Sequence, residues 1–178
     1  EVMDQTIYAY ISDGGIEEEI SQGAGRIAGH LGLDNLIMFY DSNDIQLSTE
    51  CKEVMSEDTA KKYEAWNWKV ITINGNDPDQ IRKALKEAKA EKERPTLIIG
   101  KTLMGKGAMG ANGEDFSDKV STHGQPLTGA GASIEKTIEN LGGDPQNPFT
   151  IFPEVAEFYA KVLDEKRAYA KAKKAEQA

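Results

Sequence analysis

Apolar and polar residues follow two different spacings between residues 6 and 101. Short apolar and β-branched runs predict strands over residues 6–11, 36–40, 69–73 and 96–99. Apolar residues three or four positions apart predict helices over 17–31, from 56–58 toward Trp66, and from Asp77-Pro78 to about residue 92. Because strands alternate with helices, we expect a doubly wound α/β fold, with a mainly parallel sheet and helices on both faces.

The chain changes character after Lys101. Glycines at positions 105, 107, 110, 113 and 124 punctuate a stretch without clear periodicity, and so long a loop in a compact domain is usually functional or disordered. Beyond it we expect a short helix over 134–141 and an amphipathic helix that begins at Pro153. The Ala- and Lys-rich tail over 168–178 is interpreted as a solvated helix end or a connector.

Composition excludes several classes of protein. The 178 residues carry 30 acidic and 21 basic side chains, a net charge of −9, which disfavours nucleic-acid binding. A single cysteine, Cys51, excludes an intrachain disulfide and is typical of a reducing, cytoplasmic location; we interpret it as an incidental thiol. The apolar runs are too short to cross a membrane. The start, Glu1-Val2-Met3-Asp4, is neither a signal peptide nor an initiator methionine, so we expect it to lie inside a longer reading frame.

Candidate chemistry should lie at the carboxyl ends of the strands, where doubly wound sheets bind ligands. Asp13-Gly14 follows the first strand, the segment 41–45 with Asn43 follows the second, and residues 101–107 follow the fourth; His123 lies in the long loop. Each of these is weak evidence alone. One βαβ unit, however, places Asp13 and Asn43 at adjacent strand ends.

A carboxylate and an amide oxygen at one place suit Mg²⁺ or Ca²⁺ better than zinc. Mg²⁺ usually completes its shell with waters and ligand phosphate oxygens, so a diphosphate ligand is implied. The acidic run 17–19 would repel a bare anion at the helix start. A bound metal ion supplies the positive charge that answers this objection.

Several motifs carry a resemblance to a known family. Ser12-Asp13-Gly14, followed after 28 residues by Asn43, resembles the thiamine diphosphate motif Gly-Asp-Gly followed by Asn. The segments 40–45, 101–107 and 121–127 resemble those of transketolases, in the family's order. The last two segments separate transketolases from the more distant thiamine diphosphate dehydrogenases and decarboxylases.

The resemblance implies thiamine diphosphate and Mg²⁺ (or Ca²⁺) as cofactors, and it assigns roles to individual residues. Asp13 and Asn43 would ligate the metal through their side chains, and Ile45 through its backbone carbonyl. Gly14 would let the backbone approach the diphosphate. His123 would contact the cofactor and stand near the reacting carbon of the sugar, as a catalytic residue.

Other positions carry weaker implications. Glu18 matches an acidic position at the family's dimer interface, although a solvated helix glutamate is the alternative, and His30 is interpreted as structural. Ser12, Glu19 and Gly23 depart from the family's pattern. The family commonly has a second acidic residue where this chain has Gly23. Its absence puts a carboxylate relay across the dimer in doubt, while cofactor binding is unaffected.

By this resemblance the complete enzyme would be a homodimer of the pentose phosphate pathway that moves a two-carbon ketol unit from a ketose phosphate to an aldose phosphate. Residues 1–150 would form a partial diphosphate-binding domain, and 151–178 a helical connector toward a missing pyrimidine-binding domain. The cofactor-activating glutamate and the phosphate-binding arginines would lie in missing segments, so the isolated chain is expected to be inactive. Sugar preference, and whether the missing segments were cleaved, truncated or encoded on another chain, stay open.

Two alternatives remain at this point. The first is another thiamine diphosphate enzyme, such as deoxyxylulose-phosphate synthase or a 2-oxoacid dehydrogenase subunit. The second is a non-catalytic receiver-like switch module, with Asp13, Asp41 and Lys101 as acid, phosphoacceptor and lysine. That fold requires an acidic pair at the end of the first strand, where this chain has Ser12 beside Asp13.

Overall fold

The computed structural model describes residues 5–176; the start Glu1-Val2-Met3-Asp4 and the last two residues of the tail lie outside the described residues. Four parallel strands form the main sheet in the order β1-β2-β4-β3, which confirms the predicted parallel α/β fold. β1 and β3 are its edges. The strands are β1 (Ile7–Ser12), β2 (Leu36–Ser42), β3 (Lys69–Asn74) and β4 (Thr96–Lys101).

Helices cover both faces of this sheet, as predicted. On one face α2 and α3 pack over a core that contains Ala28, Tyr63, Trp68 and residues of all four strands. On the other face α4 packs over β2, β3 and β4 through Ala84 and Ala88. The helices are α1 (Asp13–Glu17) and α2 (Glu19–Leu31) after β1, α3 (Thr59–Ala65) after β2, and α4 (Pro78–Ala90) after β3.

The two aromatic residues Tyr63 and Trp68 fix how closely α2 lies to the sheet. The indole N–H of Trp68 donates a 2.7 Å hydrogen bond to the carbonyl of Gly25. A Cβ at Gly29 would lie 1.8 Å from the backbone oxygen of Trp66. Glycine is therefore required at position 29 by the close approach of another backbone.

The start of α4 follows directly from its sequence. The Asp77 carboxylate accepts hydrogen bonds from the backbone N–H groups of Asp79 and Gln80, and Pro78 is the first helical residue. These bonds satisfy amides that have no partner within the helix. A hydrogen bond from the Gln80 side chain, followed by these backbone bonds, lowers the pKa of Asp77. α3 has the same kind of start at Asp58.

Part of the sheet is left uncovered by the described residues. No β1 residue belongs to the core under α4, and on that face Tyr8 is 56% and Tyr10 69% exposed. On the opposite face, α2 turns the apolar side chains of Ile20, Ile27 and Leu31 outward. The first strand and its helix therefore present apolar surface on both sides.

The predicted helix over 17–31 is interrupted in the structure. Glu18 has an extended backbone, with ψ 131°, between α1 and α2. Asp13 is the first residue of α1, and its buried carboxylate is held by groups from β2 and the segment after it. A local pattern of apolar spacing cannot register such a long-range constraint.

The glycine-punctuated stretch after β4 contains short regular segments. β5 (Met109–Gly110) pairs antiparallel with β6 (Ala132–Ser133), and between them lie a 3₁₀ turn (Val120–Thr122) and α5 (Leu127–Ala130). Backbone hydrogen bonds also join distant parts of this stretch, from Asp118 N–H to Met104 O at 2.7 Å and from Phe116 N–H to Ala108 O at 2.8 Å. The stretch therefore has a defined conformation.

Two compact units divide the chain between Thr137 and Ile138. α6 (Ile134–Asn140) contains this division, and α7 (Pro153–Glu176) forms most of the second unit. The predicted helix start at Pro153 is confirmed, and α7 has no buried residue. The predicted connector over 151–178 stays a prediction. Among the described residues, no helix combines the length and apolar character needed to cross a membrane.

Candidate functional site

The carboxyl ends of β1 and β2 lie side by side, with Ser12 opposite Asp41 in the register. Asp13 and Asn43 therefore follow neighbouring strand ends, as the sequence predicts. Both are buried, with Asp13 1% and Asn43 9% exposed. The backbone N–H of Asn43 donates a 3.0 Å hydrogen bond to Oδ2 of Asp13, so the structure brings the two residues into direct contact.

The Asp13 carboxylate is buried without a cationic partner. Its Oδ1 accepts a 2.5 Å hydrogen bond from the Tyr40 hydroxyl, and its Oδ2 accepts from Asn43. Across residues 5–176, no Lys, Arg or His side chain forms an ion pair with it. A buried carboxylate is costly unless it is paired or ligates a metal, so a divalent cation fits this position.

Asn43 and Ile45 form the turn that follows β2. The side-chain oxygen of Asn43 accepts a 3.1 Å hydrogen bond from the Ile45 N–H, which closes a turn of the Asx kind. An amide oxygen has a second lone pair for a metal. One carboxylate, one amide and one backbone carbonyl form a hard-oxygen donor set that suits Mg²⁺ or Ca²⁺.

This donor set does not complete a metal shell by itself. Within the described part of the chain, no group of three or more His, Cys, Asp or Glu side chains is placed to hold a metal ion. Waters and phosphate oxygens would have to supply the remaining positions, which is usual for Mg²⁺. The residues present therefore fit a metal that arrives together with a diphosphate.

Gly14 leaves its side of the backbone open. A Cβ built there would meet nothing within 4 Å, so a ligand can approach the chain at this point. α1, which contains Gly14, is tied to the turn after β2 by a 2.6 Å hydrogen bond from Gln46 to the Glu17 carboxylate. The backbone beside Asp13 is both accessible and anchored.

His123 ends the 3₁₀ turn, and its backbone N–H donates to Val120 O at 3.0 Å. Its ring nitrogen Nδ1 is buried and has no hydrogen-bond partner among the described residues. A buried nitrogen without a partner is unusual and calls for an explanation such as a ligand. His123 therefore carries an unsatisfied polar atom.

Three loops meet around the histidine. A Cβ at Gly124 would lie 3.1 Å from Cδ1 of Leu47, and a Cβ at Gly105 would lie 3.3 Å from the hydroxyl oxygen of Thr122. Lys101 also donates to Asp44 at 3.2 Å, so the segments 43–47, 101–107 and 120–124 are in mutual contact. The structure therefore places the loop of His123 next to the turn after β2, which contains Asn43 and Ile45.

Sequence reasoning missed the contacts made by Tyr40. Its hydroxyl lies against Asp13, although the two residues are 27 positions apart. Burial, followed by the hydrogen bond to Asp13, raises the pKa of Tyr40. Two sequence signals could have indicated it: its place on β2 three residues before Asn43, and its position at the start of the segment 40–45 that resembles transketolases.

The three residues of the receiver-like alternative do not assemble. Asp41 accepts hydrogen bonds from the hydroxyls of Tyr10 and Thr102, on the face opposite Asp13. Lys101 instead donates to Ser42 at 2.8 Å and to Asp44 at 3.2 Å. Asp41 therefore joins β1 and β2 to the segment after β4, and no lysine among residues 5–176 pairs with it.

Cys51 is buried beside Asp13. Burial, and then the nearby Asp13 carboxylate, raise the pKa of its thiol to about 12. The thiol is therefore neutral near pH 7, and a neutral thiol is a poor nucleophile and metal ligand. This agrees with its interpretation as an incidental thiol.

Glu18 and His30 lie apart from this cluster. Glu18 is exposed at the break between α1 and α2, and His30 is exposed in the last turn of α2. α2 runs back along the sheet from the carboxyl end of β1 to the amino end of β2. Its last turn, with His30, therefore lies at the amino ends of the strands, and Asp13 lies at their carboxyl ends.

Comparisons with known proteins agree with one another. The family model for the thiamine diphosphate binding domain of transketolase matches residues 1–177. Transketolase from Kluyveromyces lactis is 37% identical over 163 residues, and that from Staphylococcus aureus strain MW2 is 37% identical over 165. These alignments cover 90% and 91% of this chain and 23% of each relative. The solved structure of transketolase from Leishmania mexicana superposes with a TM-score of 0.84 at 31% identity, over 95% of this chain and 24% of that one.

Proposed function

The chain belongs to the transketolase family as a thiamine diphosphate binding domain, and from this premise we propose that it supplies the metal and diphosphate site of an enzyme that transfers a two-carbon ketol unit between sugar phosphates. It spans about a quarter of the length of its curated relatives. The activity is therefore proposed for the complete protein.

One observation carries the proposal. Asp13 is a buried carboxylate with no cationic partner among the described residues, and it contacts Asn43 at adjacent strand ends. In the proposed holoprotein, Asp13, Asn43 and the Ile45 carbonyl hold Mg²⁺ (or Ca²⁺), and the metal balances the buried charge. The open backbone at Gly14 lies beside the diphosphate.

Thiamine diphosphate, when bound, supplies the electron sink that carbon–carbon bond cleavage requires. The residues of this chain bind and orient it. His123 offers Nδ1, which has no partner in the described structure, as a hydrogen-bonding group toward the ligands. A histidine at that place can donate or accept a hydrogen bond and can act as a general acid or base.

The wider setting is part of the same proposal. Ketose and aldose phosphates are its substrates, and the pentose phosphate pathway in the cytoplasm is its setting. The complete enzyme is a homodimer with Glu18 at the interface. Gly23, on α2, which begins just after Glu18, provides no carboxylate for a relay between two sites, so any such relay has to use other groups.

Titration calorimetry on the complete protein tests the proposal. Thiamine diphosphate should bind only when Mg²⁺ or Ca²⁺ is present, and an acyl-phosphate mimic with Mg²⁺ should give no heat. The reverse result would support the receiver-like module. Ketose phosphate donors should be consumed in preference to 2-oxoacids; preference for a 2-oxoacid would overturn ketol transfer in favour of the other thiamine diphosphate enzymes.

A further inference from the structure

Tyr40 makes a contact that neither metal ligation nor core packing requires. We propose that Tyr40 is a positioning residue, whose hydroxyl fixes the orientation of the Asp13 carboxylate so that it is preorganised for the divalent cation. This inference rests on the proposed function of the site. Tyr40 itself is not a metal ligand.

The hydroxyl is held rigidly in place. Tyr40 lies on β2, is 2% exposed, and packs in the larger core with Ile16, Met38 and Ile99. A tightly packed ring on a central strand has little freedom to turn. Its 2.5 Å hydrogen bond to Oδ1 of Asp13 is therefore a fixed point for the carboxylate.

Two donors define the carboxylate plane together. Tyr40 holds Oδ1, and the backbone N–H of Asn43 holds Oδ2. A carboxylate has about four acceptor positions, so two donors leave room for a metal. Without Tyr40 the carboxylate would keep the Asn43 N–H and the adjacent Cys51 thiol but would lose the hydroxyl that holds Oδ1, and metal binding would have to order that oxygen.

The hydroxyl also suits the charge of the site. A lysine or arginine at this position would cancel the negative charge that attracts the cation. The neutral hydroxyl orients the carboxylate and leaves that charge in place. Groups that orient metal ligands typically contribute about 10- to 100-fold to metal affinity.

A purely structural role is the competing explanation, in which Asp13 merely satisfies a buried hydroxyl. Tyr63 shows that a buried tyrosine hydroxyl in this core does not require a hydrogen-bond partner. It is 0% exposed in the same core, and its hydroxyl has no hydrogen-bond partner among residues 5–176. This core therefore accommodates a tyrosine hydroxyl without a partner, which makes Tyr63 a matched control.

The test compares Tyr40→Phe with Tyr63→Phe in the complete protein, since each variant removes one buried hydroxyl. The Mn²⁺ and Mg²⁺ concentrations that half-saturate thiamine diphosphate binding are measured by calorimetry. We expect them to rise about 10- to 100-fold for Tyr40→Phe and to stay unchanged for Tyr63→Phe. Saturating metal should restore cofactor binding to Tyr40→Phe, because the ligands themselves are intact.

A double-mutant cycle separates positioning from stability. In an Asp13→Asn background, Tyr40→Phe should cause no further rise in the half-saturating metal concentration, since Tyr40 acts through Asp13. A crystal structure of metal-free Tyr40→Phe should show the Asp13 carboxylate rotated away from its present orientation. If the variant proves too unstable for calorimetry, 3-fluorotyrosine at position 40 keeps the fold and should change the half-saturating metal concentration.

The outcomes distinguish the two proposals. An unchanged metal requirement in Tyr40→Phe, with cofactor still bound, overturns the role of Tyr40 and leaves the proposed function standing. If Tyr40→Phe and Tyr63→Phe raise the half-saturating metal concentration equally, loss of any buried hydroxyl in this core has the same effect. That result would also overturn the role of Tyr40. If the wild-type protein binds no thiamine diphosphate with any divalent metal, the proposed function itself fails.

Discussion

At the scale of single residues, the site depends on a carboxylate that the fold buries and leaves without a counter-charge. Asp13 accepts hydrogen bonds from the Tyr40 hydroxyl and the backbone N–H of Asn43, and the neutral Cys51 thiol lies beside it. Such a group is tolerated when its hydrogen bonds and a bound cation together offset the cost of burial. Its charge should therefore matter more for binding than its shape.

Replacing Asp13 by Asn in the complete protein tests that statement. The variant keeps the size of the side chain and removes the anionic ligand, so thiamine diphosphate binding in the presence of Mg²⁺ should weaken at least about tenfold, or about 1.4 kcal/mol. Calorimetry at several Mg²⁺ concentrations measures the change. Asp34→Asn, at the amino end of β2, is the control; unchanged affinity and Mg²⁺ dependence in Asp13→Asn would refute the metal assignment.

The two histidines of the chain provide a second residue-scale comparison. If His123 stands near the reacting carbon, as we propose, His123→Ala should lower turnover of the complete enzyme more than it lowers cofactor affinity, since such a group acts mainly in the transition state. His30→Ala, on the exposed end of α2, should change neither quantity. Steady-state kinetics and calorimetry measure both. Wild-type turnover in His123→Ala would make this residue an ordinary surface-loop histidine.

At the scale of elements, α2 shows how one helix serves two opposite requirements. Its inner face carries small residues, because Trp66 and Trp68 approach the helix backbone at Gly29. Its outer face carries Ile20, Ile27 and Leu31, which the described residues leave exposed. The helix is therefore fixed to the sheet on one side and available for a contact on the other.

Glycines on the two faces of α2 should respond oppositely to alanine. Gly29→Ala forces a Cβ against the Trp66 carbonyl oxygen, and overpacking of this kind lowers the free energy of unfolding by about 1–3 kcal/mol. Gly23→Ala meets nothing within 4 Å and should raise it by up to about 1 kcal/mol, because alanine favours the helix. Urea unfolding of the complete protein measures both; equal effects would contradict this packing.

At the scale of the whole molecule, the described residues leave apolar surface around β1. Tyr8 and Tyr10 are exposed on one sheet face, and the outer edge of β1 has no strand partner among residues 5–176. An unpaired edge strand with exposed aromatic side chains favours association. We expect the chain to associate with itself or with the remaining segments of the enzyme.

The 178-residue chain alone should show no ketol transfer, even with saturating thiamine diphosphate and Mg²⁺. Catalysis requires the cofactor to be held precisely at both ends, and the proposed site provides only the diphosphate end. A coupled assay on the chain alone, and then with the remaining segments added, measures this. Activity only after mixing supports the prediction, and activity of the lone chain would contradict it.

Sedimentation measures the association of the lone chain. Tyr8→Lys places a charge on the edge strand and should reduce self-association, as lysine does on natural sheet edges. Tyr169→Lys is the control, because Tyr169 is similarly exposed in the Lys- and Ala-rich end of α7. Equal sedimentation of Tyr8→Lys and wild type would show that β1 is not the contact.

The sequence alone determined the features that depend on neighbouring residues. Strands and helices follow from the spacing of apolar residues, and the start of α4 follows from Asp77 and Pro78. The parallel sheet follows from the alternation of these elements, and it places Asp13 and Asn43 at adjacent strand ends. Local chemistry is sufficient for each of these conclusions.

Only the tertiary structure decided the features that depend on contacts between distant residues. The bond from Tyr40 to Asp13, the break at Glu18 and the meeting of the loop of His123 with Leu47 depend on register and packing. The uncovered face at Tyr10 depends on how far α4 extends across the sheet. Apolar spacing along the chain is insensitive to such contacts, because it reports which face of an element is buried and not which group lies against it.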